Sequence, residues 1–577
     1  MKTSILSLFV IGLSCNLQAQ DFAWAADYAN GNSWVTAMTV DNVGSAYTAV
    51  IYTETVDFDP GPANFPETGG AEGQTSIQKL DVNGNLIWVK SFPEVIGDGI
   101  IGNGFEIKGI TVDGSGNLYL TGGISGAVDV DPGDEELVIG SFGMGGDIVI
   151  VKLNSDGELM WVNTMGSNCI DTGVDIELDQ NGDVCVTGTF CQTVDFDSGV
   201  GVEELTAEGA EGTDVFILKL SNTGDFIWVK SIESEFYDEV FDLEVDKNNN
   251  IYIGGDYTNS ADFDVDLGEY ILTSEGVKEA FLLKLDEAGL YDWVITVPGS
   301  SYSKFSSIAL DSYDNIYAVG NFSGAEIDFD PGAGVLNLSS IGQTDIFVTK
   351  YTVSGELIWA NQLGGTGIDR DALIEVSGIN TLYITGNYGD DIDVDPSVDE
   401  YILEHTTDVL SNFDIFLTTL NEDGDFLQAI SFTGDHNDYC IELLKGTEGS
   451  VYLAGTTHSD LDIDPAGGEF LLHGDNYEPE AYVLKLQDGN VGINGDVEDV
   501  NISLYPNPTQ GALNIKLDKT YADLHVVIFD QTGRVIYQNE YLSTSLIRME
   551  FNAPNGIYFV QIMSDDIDRV IKVSKTN

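Results

Sequence analysis

The sequence predicts an all-β protein: a seven-bladed β-propeller closed by its own N-terminal strand, followed by a small C-terminal β-sandwich. Three observations carry that prediction. A phrase reading apolar-Asp-apolar-Asp occurs seven times at intervals of about 65 to 72 residues, the mark of a repeated structural unit. Around each copy the same short runs of alternating β-branched and aromatic residues recur, bounded by Gly, Asn and Asp. The last copy of the unit lacks its fourth run, and the start of the chain supplies a spare one.

Residues 1–19 read as a secretory signal peptide. Lys2 gives the positive end. Ile5 to Leu13 give an apolar run too short to span a bilayer, and Leu17-Gln18-Ala19 offers a cleavage site that leaves Gln20 first. A lipid anchor on Cys15 is the rival reading, but Gly12-Leu13-Ser14 lacks the aliphatic residue expected three positions before that cysteine. No later stretch is long and apolar enough to cross a membrane as a helix.

Residues 20–488 are the propeller, and unit five shows the pattern. Phe305 to Leu310 is a strand, Asp311-Ser312-Tyr313-Asp314 a turn, and Asn315 to Phe322 a second strand. The Asp phrase follows, then the apolar run Val335 to Leu338. Asp345 to Lys350 is a third strand, Val353-Ser354-Gly355 a turn, and Glu356 to Ala360 a fourth. The register holds across units. An aromatic marks the second strand at Tyr47, Tyr119, Tyr252, Tyr317, Tyr383 and Tyr452, with Cys185 in unit three. A tryptophan marks the fourth at Trp88, Trp161, Trp228, Trp293 and Trp359, with Gln428 in unit six. Unit seven stops after its third strand, Ala481 to Leu486, while Asp21-Phe22-Ala23-Trp24-Ala25 repeats the fourth-strand pattern. Ring closure needs that split, because it leaves no open sheet edge between the first and last units.

Residues 489–499 form a polar linker, and residues 500–577 a second domain. The charge changes there. The whole chain carries 96 acidic and 22 basic residues, a net −74, whereas the tail holds seven basic and eight acidic residues. So acidic a surface excludes nucleic acid and anionic membranes as natural partners, since both need a basic patch. It favours solubility, attracts cations and agrees with a monomer.

The repeated blocks, with Asn117 to Gly122 and Asp214 to Leu220 as examples, resemble the bacterial seven-bladed beta-propeller repeat family. That resemblance implies the fold and carries no catalytic residues. The tail opens with Tyr505-Pro506-Asn507-Pro508 and continues through Asp530-Gln531-Thr532-Gly533-Arg534, Asn555-Gly556-Ile557-Tyr558 and Lys572-Val573-Ser574-Lys575. These motifs look like the type A C-terminal sorting domain of the type IX secretion system. The resemblance implies engagement of that machinery and passage across the outer membrane. It also implies removal of the tail, with release or attachment to surface lipopolysaccharide.

The candidate site is the set of Asp phrases: Asp57 and Asp59, Asp129 and Asp131, Asp195 and Asp197, Asp262 and Asp264, Asp328 and Asp330, Asp393 and Asp395, Asp462 and Asp464. In a propeller, the connection between strands two and three shares a face with the connection to the next blade. One face should therefore carry a ring of paired carboxylates, each phrase opening a small extra hairpin. On one strand the two Cα atoms would be about 7 Å apart. Their repulsion is about 0.6 kcal/mol in water and about 2.4 kcal/mol at an effective dielectric of about 20. Two readings stand. The aspartates bind Ca²⁺, which takes oxygen ligands alone, or they cap turns through backbone N–H groups before Pro-Gly. The Asp81, Asp113 and Asp179 turns read as hairpin turns, not calcium loops, since their spacing departs from that of an EF-hand.

His436 and His458 should reach the same face near Asp435, Asp438 and Asp460, either as exposed loop histidines or as an acid–base or metal site. Cys169 and Cys191 flank unit three on one face and suit a disulfide; Cys185 reads as a buried thiol, and Cys440 has no evident partner. No Ser–His–Asp order, zinc spacing or phosphate loop stands out. The expected function is binding or adhesion at the cell surface, with a glycan or protein as ligand and no resident cofactor beyond Ca²⁺. The alternative is a secreted polysaccharide hydrolase or lyase that uses face carboxylates.

Overall fold

In the computed structural model the described residues are 20–488 and 503–575, apart from 29–31, 62, 71–72, 96–103, 134, 144, 209–211, 235, 267, 299–300, 378–380, 406–411, 464–470, 473–477, 506–511, 522–523, 531–533, 542–543, 552, 555 and 565–566. The signal-peptide and linker readings lie outside them, as does Asp464. The chain divides into two compact units, up to Asp488 and from Gly489.

The first unit is a ring of seven four-stranded antiparallel blades. Blade 5 runs Tyr302–Leu310, Ile316–Ser323, Asp345–Tyr351 and Leu357–Gly365, inner to outer. Its second and third strands are buried nearly throughout, which explains why apolar residues there run together instead of alternating. The inner strands are Ser33–Val40, Gly104–Val112, Thr172–Leu178, Glu239–Val245, Tyr302–Leu310, Asp369–Val376 and Asp438–Lys445. Each has a register shift against its neighbour near its middle. Such bulges bend and twist a strand.

The N-terminal strand Gln20–Asp27 pairs with Glu480–Asp488, with Phe22 opposite Leu486 and Trp24 opposite Lys485. It is the outer strand of blade 7, as the spare run predicts.

One repeated junction explains the Tyr and Trp register. Lysine from the third strand lies over the second-strand tyrosine, Nζ to ring centroid 4.6 Å for Lys152 and Tyr119 and 4.8 Å for Lys350 and Tyr317. That lysine and the outer-strand tryptophan then donate to one carbonyl in the next blade's turn. Lys350 Nζ and Trp359 Nε1 reach Glu422 O at 3.0 and 3.2 Å, and Lys284 and Trp293 reach Val353 O at 3.2 and 3.3 Å. The seam repeats this with parts from both chain ends: Lys485 Nζ and Trp24 Nε1 reach Val82 O at 3.1 and 3.0 Å, and Lys485 lies over Tyr452. Gly424 in the receiving turn has φ +85°, and a Cβ there would meet the Trp359 ring at 3.2 Å, so glycine serves both the turn and the stacking. Blade 3, with Cys185, substitutes a buried Lys219–Asp179 ion pair at 2.8 Å. Blade 6, with Thr419 and Gln428, has neither lysine nor tryptophan at these positions.

The second unit holds two sheets, Ser503–Tyr505, Ala512–Tyr521 and Thr544–Glu550 in one, and Val535–Tyr541, Leu524–Asp530, Gly556–Ser564 and Ile567–Lys575 in the other. Leu513, Ile515, Val526, Ile528, Val560 and Ile562 fill its core.

Candidate functional site

The Asp phrases do open small hairpins. Thr55–Asp57 pairs with Pro66–Thr68, and Thr193–Asp195 with Glu204–Thr206. The expectation that both aspartates sit on one strand needs correcting. The strand ends at the first aspartate and the second begins the turn. Asp57 Oδ1 accepts the N–H of Asp59 at 3.0 Å and of Phe65 at 2.8 Å; Asp59 Oδ1 accepts that of Gly61 at 2.7 Å. The pattern repeats for Asp129 and Asp131, Asp195 and Asp197, Asp262 and Asp264, Asp328 and Asp330, and Asp393 and Asp395. Asp462 likewise ends the short strand Leu461–Asp462. The apolar members Val56, Phe58, Val128 and Val130 are wholly buried.

The hairpins also lie farther out than a ring around the mouth. The blade 4 hairpin pairs with the end of blade 3's outer strand, Glu233 opposite Asp262, and the blade 6 hairpin with that of blade 5, Gly364 opposite Asp393. At blades 1 and 2, Asp129 N donates to Pro93 O at 3.0 Å. These three phrases thus strap neighbouring blades at the rim. In the first six phrases each Oδ1 is committed to turn N–H groups, so a calcium ion there would have the Oδ2 atoms to bind.

Nearer the axis, exposed apolar residues gather in the two connections that share this face. Phe142, Val277 and Ile341 precede third strands; Ile170, Phe236 and Tyr237 precede inner strands; all six are between 42% and 72% exposed. Backbone bonds join the two sets. Asp171 N donates to Gly146 O at 2.8 Å, Asp238 N to Thr213 O at 3.3 Å, and Gln343 N to Gly367 O at 3.0 Å. Phe142 and Ile170 thereby stand on adjoining connections, and the Cys169–Cys191 disulfide ties the second of these to blade 3. Cys185 and Cys440 are buried thiols. His458 Nδ1 lies 2.9 Å from the Asn437 carbonyl, a structural contact and not a pairing with a carboxylate.

Sequence reasoning missed the channel. A cavity of about 190 Å³ is walled by the inner strands, and Asp175, Glu177, Asp242, Glu244, Glu375 and Glu442 all line it. The bulges explain part of this. Asp175 Oδ2 accepts Leu243 N–H of the next blade at 2.8 Å, Asp242 Oδ2 accepts Ile308 N–H at 2.5 Å, and Ser307 Oγ accepts Ile374 N–H at 3.3 Å. Glu442 accepts Met38 N–H across the seam. Asp175, Asp242 and Glu442 therefore each meet a backbone donor of the next blade close to its bulge. Water touches these side chains, yet protein surrounds them. Burial, reinforced by neighbouring carboxylates, holds Asp242, Glu244 and Glu442 well above the usual range and pushes Glu177 up to about 8. Lys445, 3.3 Å from Glu375, supplies the cation. The signal was present in Asp175-Ile176-Glu177 and Asp242-Leu243-Glu244, acids two apart on inner strands.

Comparison with known proteins identifies the second unit. Residues 503–575 match the family described as secretion system C-terminal sorting domain. Over 273 residues, 41% of this chain, the sequence is 27% identical to an uncharacterized WD repeat-containing protein of Acanthamoeba polyphaga mimivirus. A second relative, the regulatory protein FlaEY of Caulobacter vibrioides, is 25% identical over 28% of this chain. The chain spans 19% and 17% of the length of these curated relatives. Among solved structures, the polysaccharide lyase Uly1 shares 9% identity at a TM-score of 0.40, covering 83% of this chain and 94% of that one. A protein of unknown function from Bacteroides caccae shares 10% at 0.27, covering 57% and 82%. Likeness at that level carries no functional argument. No helix among the described residues is long and apolar enough to cross a membrane. The chain is a seven-bladed β-propeller bearing a C-terminal sorting domain of the type IX secretion system, and that domain sends it to the cell surface or exterior.

Proposed function

We propose that the propeller is a non-catalytic binding module that engages an extracellular protein on its Asp-rich face. The observation that carries this reading is Phe142 and Ile170, exposed on adjoining connections, with Phe236, Tyr237, Val277 and Ile341 exposed on the same two kinds of connection at other junctions of that face. Exposed apolar side chains grouped in this way favour a partner surface, and aromatics supply most of the energy in such contacts. Charge selects the partner. A chain of net −74 repels acidic polysaccharides and draws basic groups, so the fitting ligand presents apolar side chains framed by Lys or Arg. Peptide and glycan arrays probed with the purified chain test this. Binding to basic, apolar-bearing peptides that is lost in Phe142→Ala/Tyr237→Ala, with the melting temperature unchanged, supports the reading. Binding to glycans alone overturns it.

One observation favours a second reading, a polysaccharide hydrolase or lyase. Glu177, held up to about 8, stands in the channel beside Asp175, and enzymes that cleave glycosidic bonds use carboxyl pairs of separated acidity. Release of reducing ends or unsaturated products from a polysaccharide panel, abolished by Glu177→Gln, would establish it. Calcium at the Asp phrases is a separate proposal, tested by calorimetric titration of the whole chain.

A further inference from the structure

Four of the blade junctions carry the same buried pair of acids on the Asp-rich face. One member opens a third strand: Asp147, Asp214, Asp345 or Asp414. The other stands at the start of the next inner strand: Asp171, Asp238, Asp369 or Asp438. All eight are buried. Both members of a pair close on the short connection between the blades. Asp171 Oδ2 accepts Ser167 N–H at 2.6 Å, Asp214 Oδ1 accepts Ser234 N–H at 3.2 Å, Asp369 Oδ2 accepts Gly365 N–H at 2.7 Å, and Asp414 Oδ1 accepts Gly434 N–H at 3.4 Å. Asp147, Asp345 and Asp438 press on Gly166, Gly364 and Gly434, leaving no room for a Cβ.

In every pair one oxygen is left without a donor: Asp147 Oδ1, Asp238 Oδ2, Asp369 Oδ1 and Asp438 Oδ2. A buried acceptor without a partner is costly, so something absent from the heavy-atom framework fills the gap. The junction between blades 4 and 5 is built differently. There Glu279 faces Ser303; Glu279 takes the Tyr257 hydroxyl at 2.9 Å and Glu275 N–H at 3.0 Å, Ser303 Oγ accepts Ala280 N–H at 3.0 Å, and no orphaned oxygen remains at either residue.

We propose that each of the four pairs holds one proton between its two carboxyls, and that losing it as pH rises loosens the Asp-rich ends of these junctions while the opposite face stays closed. One O–H donated within the pair satisfies the orphaned oxygen. When that proton passes to water, two adjacent carboxylates remain and repel each other. The surroundings agree. Burial and the neighbouring acid raise Asp147 to about 6 and both Asp238 and Asp369 to about 8, and hold Asp438 well above its ordinary range. The groups facing the pairs are mostly acids: Glu208 and Glu233 by Asp214, Asp256 by Asp238, Asp390 by Asp369, and Asp435 by Asp438. The basic side chains are His405, 3.7 Å from Asp414, and Lys278, 3.0 Å from Asp256. The nearby phenols of Tyr257, Tyr388 and Tyr482 are all raised and stay neutral. A divalent cation is the rival filling, but two carboxylates are few ligands for one. Among the described residues the one group of three potential ligands is Cys169, Asp171 and Cys191, whose sulfurs are bonded to each other.

The sign follows from linkage. Folded-state values above the unfolded value of about 4 mean that the folded chain holds protons the unfolded chain has released, so stability falls as pH climbs from about 4 to about 8. The full chain is melted between about pH 5.5 and about pH 8.5, in EDTA and in Ca²⁺. We expect a drop of ~5 °C or more across that range, equal in both. The variant carrying Asp147→Asn, Asp238→Asn, Asp369→Asn and Asp438→Asn, whose amides donate without titrating, should melt with a flattened slope. Should that variant not fold, infrared spectra of the wild-type chain at neutral pH should show the carbonyl band of protonated carboxyls. A flat wild-type profile, an unchanged slope in the folded variant, a slope removed by Ca²⁺, or absence of that band overturns the proposal.

Discussion

The two faces of the propeller close their blade junctions by opposite means. On the face of the hairpin turns, lysine and tryptophan both donate to one carbonyl of the next blade, as Lys284 and Trp293 do to Val353. On the Asp-rich face the junctions rest on buried carboxyls such as Asp238 and Asp369, both raised to about 8 by burial and neighbouring acids. The junctions of blade 2 with 3 and of blade 5 with 6 carry both kinds of contact, so acidity acts there on one side of the ring. The lesson is about where a repeat stores sensitivity: in the groups whose partner is another acid.

The largest effect should come from the insensitive face. Trp359→Ala removes the stacking on Gly424 and the bond to Glu422, and should cost about 3 kcal/mol at any pH, measured by denaturant unfolding. A loss that varied with pH would break the contrast. Next comes Asp242→Ala, which orphans Ile308 N–H in the channel and should cost about 2 kcal/mol. Asp242→Asn keeps an acceptor and removes a charge held unfavourably, so at pH near 8 it should be neutral or stabilising, which sharpens the contrast. Smaller again, Asp328→Ala should cost about 1 kcal/mol through the lost N–H bonds to Asp330 and Leu336, whereas Asp328→Asn should cost a few tenths. A calcium role would reverse that pattern, with both variants losing a Ca²⁺-dependent rise in melting temperature. The smallest effect on stability belongs to Tyr237→Ala, below about 0.5 kcal/mol, since its side chain is exposed. Its loss should appear in binding alone.

The architecture was legible because each blade writes its register in residues that do one job. Tyr317, Lys350 and Trp359 recur since a single junction needs all three, and the stray Trp24 revealed the seam for the same reason. The hairpins were legible from alternation, but the place of their acids was not. Asp57 and Asp59 look like neighbours on a strand until the turn at Asp57 separates their roles, and sequence carries no mark of where pairing stops. The channel acids and the junction pairs stayed hidden for a further reason. Asp147 and Asp171 come together through two blades, and nothing local to either says that the other is near. Aligning the first residue of every third strand would have exposed Asp147, Asp214, Asp345 and Asp414 as one position.

The seam at blade 7 has a consequence for folding. Ser33 and Ala481, 448 residues apart, share a hydrogen bond, and Tyr452 reaches Gly44 over 408. Neither contact can form until residues near both ends of the propeller are available to meet. Contacts so distant in sequence form slowly, because the intervening loop must first be ordered. Six blades draw all four strands from one continuous stretch of chain, whereas the seventh waits for a ribbon from the far end, so the clasp closes the ring.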